Sequence, residues 1–469
     1  MSISKADAGR MALNLDADKA RNARITTSAI LLLSIVLVAV ITYLPAFNNY
    51  FIPDDSGMFS YLKSFRQSPA SILDTPSELF RVTSYIYFFA CMKLFGMNST
   101  AFHWAGIGLH VIVSLLVYRL VKMSSGKPIA AWAAAIFFAA YERHQEAIMW
   151  ISAANSTILT LTSVLFLILW LRATPWSRRL ALIVLVVALF SRETAVTLAP
   201  LAVVIPLLDG KSWRTALKEA WPVLAITTGY ICLWLYYFNR DIAVSHPSFA
   251  WSLRFFPVYA GAVFRLLLTA MPFAVALFMM KGRSGTAALR QHQKEILLYA
   301  AIILLALIPV SLLTYQSSIP SRALYYPSAG LAGIVGVLFH AWHQDFAGRK
   351  MGKLAVFFLL TVVSGNIGYV WLKKDPQYLE RAAATHQLIL ALNNLESRLG
   401  TEKSLCVENF PLDPWIGTAA TRWFSSVPPE NVVFSNSCEP AVHAAVLNWS
   451  DSAGLTLVRG QSSGDVSPN

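Results

Sequence analysis

Two adjacent carboxylates stand in Phe51-Ile-Pro-Asp-Asp-Ser-Gly-Met-Phe59, directly after the first long apolar segment and ahead of an amphipathic run. An ionised carboxylate in hydrocarbon costs about 3 kcal/mol on insertion scales, so Asp54 and Asp55 belong in water or in a cavity mouth. A carboxylate held there can take the proton of a hydroxyl while that oxygen forms a bond, which makes the pair candidate catalytic bases. The same residues have a structural alternative. An Asp ahead of Ser56-Gly-Met-Phe-Ser-Tyr-Leu62 can cap a helix, contributing about 1 kcal/mol. Asp55 is the better placed cap and Asp54 the favoured base.

Further polar groups stand at the ends of apolar runs: Arg81, the stretch Tyr141-Glu-Arg-His-Gln-Glu146 with His144 and Glu146, Arg192 with Glu193, and Arg322 with Tyr325 and Tyr326. Arginine suits a phosphate because its planar fork binds two oxygens and stays charged. Arg81, Arg192 and Arg322 are therefore candidate phosphate-binding residues. His103 and His110, seven apart, share one helical face. They lack the carboxylate-rich surroundings of a metal site, and no metal and no cofactor is assigned. Plainer readings stand beside these: Glu146 and Glu193 as structural ion-pair partners of Arg143 and Arg192, and Trp150, Trp221 and Tyr315 as an interfacial aromatic belt.

The elements that must position these groups are membrane helices. Over 469 residues the chain is 56% hydrophobic and only 13% charged, too apolar for a soluble fold of this size. Its net charge of +13 sits in short clusters between apolar runs, the pattern of cytoplasmic loops and not of a nucleic-acid surface. Spans of about 20 apolar residues give about eleven crossings. The fold class expected is an all-α polytopic membrane protein with a small C-terminal α/β soluble domain. Residues 1–26 form a cytoplasmic N-terminal segment without a cleavable signal. Residues 27–373 form the transmembrane domain, with outer-loop helices within 56–95, and 374–469 the small extracytoplasmic domain. Two short helices are expected to meet at Tyr141 and two more at Ser191, bringing all the clusters to the outer side. In the tail, Cys406 and Cys438 are placed to form a disulfide, contributing roughly 3–4 kcal/mol. Cys91 and Cys232 read as packing residues.

At these residues the chain resembles the GT-C superfamily of membrane glycosyltransferases, particularly the protein O-mannosyltransferases and the transmembrane-TPR O-mannosyltransferases. Asp54-Asp55 is similar to the acidic pair of the family's first outer loop. Phe80-Arg81-Val-Thr-Ser84 resembles its aromatic-Arg-Pro stretch, with Val82 in place of the proline. His103 and His110 match a histidine pair of that spacing. His144-Gln-Glu-Ala147 followed by Trp150-Ile-Ser152 is similar to the family's His-Thr-Glu-Ala and Trp-Ile-Ser, with Tyr141 where an earlier histidine stands and Ala153-Ala154 replacing Gly-Arg. Ser191-Arg-Glu-Thr-Ala195 resembles Ser-Lys-Glu-Thr-Ala, and Arg322 to Ser328 resembles Arg-x-Leu-Tyr-x-Pro-Ser.

The resemblance implies inverting transfer of one sugar from a polyprenyl-phosphate donor to an acceptor outside the cytoplasm. The TPR tail is missing, so the acceptor is left as a glycan, a lipid or a protein. A transporter or flippase of a lipid-linked glycan is the alternative, which calls for polar residues deep in several spans and an inverted repeat. A silent scaffold displaying the tail is a third.

Overall fold

The computed structural model describes residues 26–68, 80–237, 253–281, 290–312, 319–345, 350–399, 404–439, 443–450 and 452–460. The expected cytoplasmic segment up to Ile25, most of the outer loop after Phe238, and Tyr315 lie outside them.

The first long helix, α1, spans Thr26–Asn48 and tightens into a 3-10 turn at Leu44–Asn48. There follow α2 (Pro53–Gln67), α3 (Val82–Phe95), α4 (Ser99–Ser125), α5 (Pro128–Ala140), α6 (Ala154–Arg172), α7 (Pro175–Leu189), α8 (Leu198–Leu208), α9 (Trp213–Tyr237), α10 (Phe255–Lys281), α11 (Gln293–Ser311), α12 (Pro327–Asp345) and α13 (Lys350–Tyr369). Among the described residues five helical runs are long and apolar enough to cross a membrane: α1, α4, Ile151–Arg172 around α6, α11, and Gly352–Leu395. Val82–Phe95, Pro128–Ala140, Glu193–Leu208 and Phe255–Thr269 are shorter apolar helices, so the bundle mixes full-length and short elements.

Local chemistry sets the boundaries. Asn98 accepts from the Ala101 amide to start α4, and Gly126 ends it in the left-handed region, with Pro128 opening α5. Thr174 and Ser177 form a capping box that starts α7 at Pro175. Both expected reversals are breaks. Tyr141 leaves the helix in an extended conformation and short helical turns run from Glu142 to Ala153. Arg192 is likewise extended, between α7 and a 3-10 turn at Glu193–Thr197.

The core of the bundle is packed closely through small residues. Every side chain from Ala133 to Ala140 is buried. A Cβ added at Gly330 or Gly333 would lie 2.5 Å from Tyr299, and one at Gly336 would strike Ala130, so glycines on α12 admit α11 and α5 to backbone contact.

A π-turn at Val370–Lys374 carries α13 straight into α14 (Asp375–Leu399), so the last apolar helix and the tail share one helical run. The tail then forms β1 (Leu405–Glu408), α15 (Pro414–Phe424), β2 (Val432–Ser435), β3 (Ala445–Ser450) and β4 (Gly454–Gly460). Strand order is β2-β1-β3-β4, with β1 parallel to both neighbours and β3–β4 an antiparallel hairpin. Leu388, Ile389, Leu392 and Leu395 of α14 pack on Leu405, Val407, Val432, Ala445 and Leu447. The expected strands around Leu405, Val432 and Leu455 are present, while β3 and α15 add to them. Cys406 and Cys438 are disulfide-bonded. Cys91 is buried as expected, but Cys232 is exposed on α9 and is no packing residue.

Candidate active site

The Asp pair is divided by helix geometry. Pro53 opens α2, so Asp54 and Asp55 occupy its first turn, where negative charge meets the positive end of the helix dipole. Successive helical side chains point about 100° apart, and the two carboxylates face different surroundings. Asp55 is buried: its Oδ2 accepts from the Ile52 amide at 3.0 Å and its Oδ1 from the Ser152 amide at 2.8 Å. It thus reaches back over the start of its own helix, as the third residue of a capping box does, and clamps α2 to the break before α6. Burial pushes the Asp55 carboxyl up to about 7, against the pull of the Ser152 and Ile52 amides. Asp54 is exposed.

Two cavities meet at Asp54. The first, about 600 Å³, is lined by Asp54, Arg81, Tyr85, Phe88, Trp150 and Arg322, with Ser152, Asn155 and Trp415 among its other walls. The second, about 810 Å³, shares Asp54, Trp150 and Arg322 and extends between Glu146 and the tail. Arg322 is fixed at the junction. Its guanidinium lies 4.6 Å from the centre of the Trp150 ring, with Nη1 3.5 Å from Glu146 Oε2, and its own amide donates to that oxygen at 3.0 Å. Glu146 therefore pairs with Arg322 and not with Arg143, which binds Glu142 at 2.6 Å. Trp150 is a wall of both cavities, a different place from an interfacial belt.

Three sequence-distant segments are tied together here. The Thr83 hydroxyl donates to Ser191 Oγ at 2.6 Å, holding the start of α3 to the second break. Arg192 is buried behind the wall, donating from Nη1 to Ser156 Oγ at 2.6 Å, with Nε 3.9 Å from Glu193 Oε1. Glu193 also feels the charge of Arg81. Neither Arg192 nor Glu193 is among the walls of these two cavities; both brace Arg81 and the α6 start from behind.

The remaining candidates form a buried scaffold. His110 Nε2 donates to the Ala139 carbonyl at 3.0 Å, which leaves Nδ1 to accept from the Tyr325 hydroxyl at 2.6 Å. Ser328 gives its proton to the Tyr325 carbonyl and so accepts from His144 Nε2 at 2.6 Å. Burial, with His110 beside it, pushes the His144 imidazole well below its usual range. His103 and Tyr326 are also buried. These residues set the spacing of helices under the site and stand outside the cavity walls.

Several wall residues carried no motif: Tyr85, Phe88, Asn155, Trp415, Glu380, Arg381 and Trp449. Ser152 closes the Trp150-Ile-Ser152 match, and Asn155, outside the motif itself, stands three residues after it. Nothing in the chain marks Trp415 or Trp449.

No family profile matches the chain, and no curated protein matches it in sequence. Solved structures do match its fold. ArnT from Cupriavidus metallidurans bound to undecaprenyl phosphate aligns with a TM-score of 0.50 at 13% identity, over 91% of this chain and 94% of that one. The same protein in the apo state aligns with a TM-score of 0.50 at 13% identity, over 92% and 94%. The Archaeoglobus fulgidus oligosaccharyltransferase tethered with an acceptor peptide gives a TM-score of 0.44 at 13% identity, over 88% of this chain and 64% of that one. At such identity the likeness is one of fold alone: the chain shares the GT-C fold of the ArnT structures.

Proposed function

We propose that the chain is an inverting glycosyltransferase that moves one sugar from a polyprenyl-phosphate donor to an acceptor, with Asp54 as the base. The observation that carries this reading is an exposed carboxylate at the junction of two cavities, with Arg81 and Arg322 facing the first. The donor phosphate lies against these two guanidinium groups and its polyprenyl chain runs past Tyr85 and Phe88 toward lipid. The exposed apolar face of α3, with Ile86 and Leu94, makes that route continuous with the membrane. In the reaction the acceptor oxygen bonds to the anomeric carbon from the face opposite the phosphate. The bond from that carbon to the phosphate oxygen breaks, and its electron pair leaves on the phosphate. The acceptor proton passes to Asp54. Fixed positive charge meets the negative charge that develops on the leaving group. Asp55 is a positioning residue that aims Asp54 by holding α2.

ArnT bound to undecaprenyl phosphate supports a lipid-phosphate donor for the same fold. The Cys406–Cys438 disulfide supports an extracytoplasmic tail and, with it, an extracytoplasmic site and a cytoplasmic N-terminus. The test is transfer in membranes supplied with a polyprenyl-phosphate sugar. Wild-type protein releases polyprenyl phosphate and an Arg81→Gln, Arg322→Gln double variant does not; release by that variant at the wild-type rate overturns the donor site.

A further inference from the structure

The second cavity has an unusual wall. One side is the junction itself, with Pro53, Asp54, Glu146, Trp150 and Arg322; the other belongs wholly to the tail, with Glu380, Arg381, Ala383 and Ala384 on α14, Pro411 and Leu412 after β1, and Trp449 on β3. The tail is held in register with the site. Tyr378 on α14 donates to Gln145 Oε1 at 2.6 Å, and Gln145 in turn donates to Ser321 Oγ at 2.7 Å, beside Arg322. Tyr50 stacks on His386 at 4.5 Å and Phe51 on Phe424 at 4.4 Å, so the residues just before Asp54 are clasped by the tail.

Resting on the glycosyl-transfer reading, we propose that this cavity is the acceptor site and that it takes a carbohydrate, whose attacking hydroxyl is delivered to Asp54 while Glu380, Arg381 and Trp449 read the sugar. Four features favour that class. The charges around the cavity are mixed, three carboxylates and two guanidinium groups. Such a set offers donors and acceptors to neutral hydroxyls and selects neither an anion nor a cation. Two indole side chains, Trp150 and Trp449, provide flat apolar faces for the C–H side of a sugar ring. Ile52 and Leu412 are the only large aliphatic side chains among the described walls, the rest of the aliphatic lining being Pro53, Ala383, Ala384 and Pro411, too little for a slot that would hold an acyl chain. The sheet edges β2 and β4 supply no wall, so an extended peptide finds no strand to pair with.

Photo-cross-linking from the full-length protein in its own cells tests this. A benzophenone amino acid replaces Ala383, and another replaces Leu390, which is exposed on α14 away from the cavity. After digestion, the peptide from the Ala383 position is expected to carry sugar masses that the Leu390 peptide lacks. Adding Glu380→Gln and Arg381→Gln should lower that yield about five- to tenfold by removing two ligand contacts. A peptide or acyl adduct would place another class of acceptor there, and equal adducts at both positions would remove the site; either overturns the proposal. Asp54→Asn in the same cells separates the two claims. A sugar adduct that persists while transfer stops keeps both, and an adduct with undiminished transfer keeps the cavity and removes the reaction.

Discussion

The two ends of the helical bundle both gather charge, and they use it differently. Away from Asp54, Glu219 pairs with Lys211 at 2.6 Å and with Arg178 at 3.3 Å, Asp209 pairs with Lys294, and Arg178 stacks on Trp170. The cavity beside them is only about 170 Å³. These charges satisfy one another at the surface, where such pairs contribute about 0–1 kcal/mol. At the Asp54 end Arg322 is held by Glu146 and the Trp150 indole, yet it and the exposed Asp54 still line open space. Charge at a helix end marks a site only when its partners fix its direction without using it up.

This contrast can be pressed by substitution, beginning with the largest effect. Arg322→Gln should reduce transfer on the order of a hundredfold, the loss typical of one fixed donor to a developing negative charge, and should weaken donor use more than acceptor use. Steady-state kinetics with each substrate varied would check it, and equal loss on both sides counts against the donor role. Arg81→Gln, on the exposed rim of the first cavity, should cost less, about tenfold in the same assay.

Asp55 offers a test by pH. Its folded-state carboxyl lies at about 7, above the ordinary carboxylate range, so the folded protein takes up a proton that the unfolded chain does not. Its contribution to stability is therefore fully present below the ordinary carboxylate range and is lost as pH rises through about 7. Between pH 8 and pH 6 the protein should gain about 1 kcal/mol from this group. Thermal unfolding in detergent should show a melting temperature that rises as pH falls over that window, and Asp55→Asn should flatten it. An unchanged slope in the variant would assign the pH dependence elsewhere. At the opposite end, Glu219→Gln should leave transfer unaltered and change stability by no more than about 0.5 kcal/mol.

Much of this arrangement was legible in the chain. The breaks at Tyr141 and Ser191 showed because apolar runs too short or too long for a span were interrupted by charged residues, and membrane thickness is a strict ruler. The cysteine pair in a polar tail was legible for a similar reason, since few pairings were available. The division of labour between Asp54 and Asp55 was only half visible, because the deciding partner of Asp55 is an amide at Ser152, brought in from a distant segment. Arg192 carried the same local signature as Arg322. Only packing shows that Ser156 lies against the former while Trp150 leaves the latter at the cavity junction. The tail walls were invisible, since Trp415 and Trp449 reach the cavities through tertiary packing of α15 and β3, to which no local spacing corresponds.

The most direct test compares Asp54→Asn with Asp55→Asn in purified protein, measuring polyprenyl-phosphate binding and sugar transfer side by side. The account predicts that Asp54→Asn binds polyprenyl phosphate as wild type does yet transfers sugar at least about a hundredfold more slowly, while Asp55→Asn keeps a measurable part of its activity. Transfer near the wild-type rate by Asp54→Asn, with loss confined to Asp55→Asn, would contradict it.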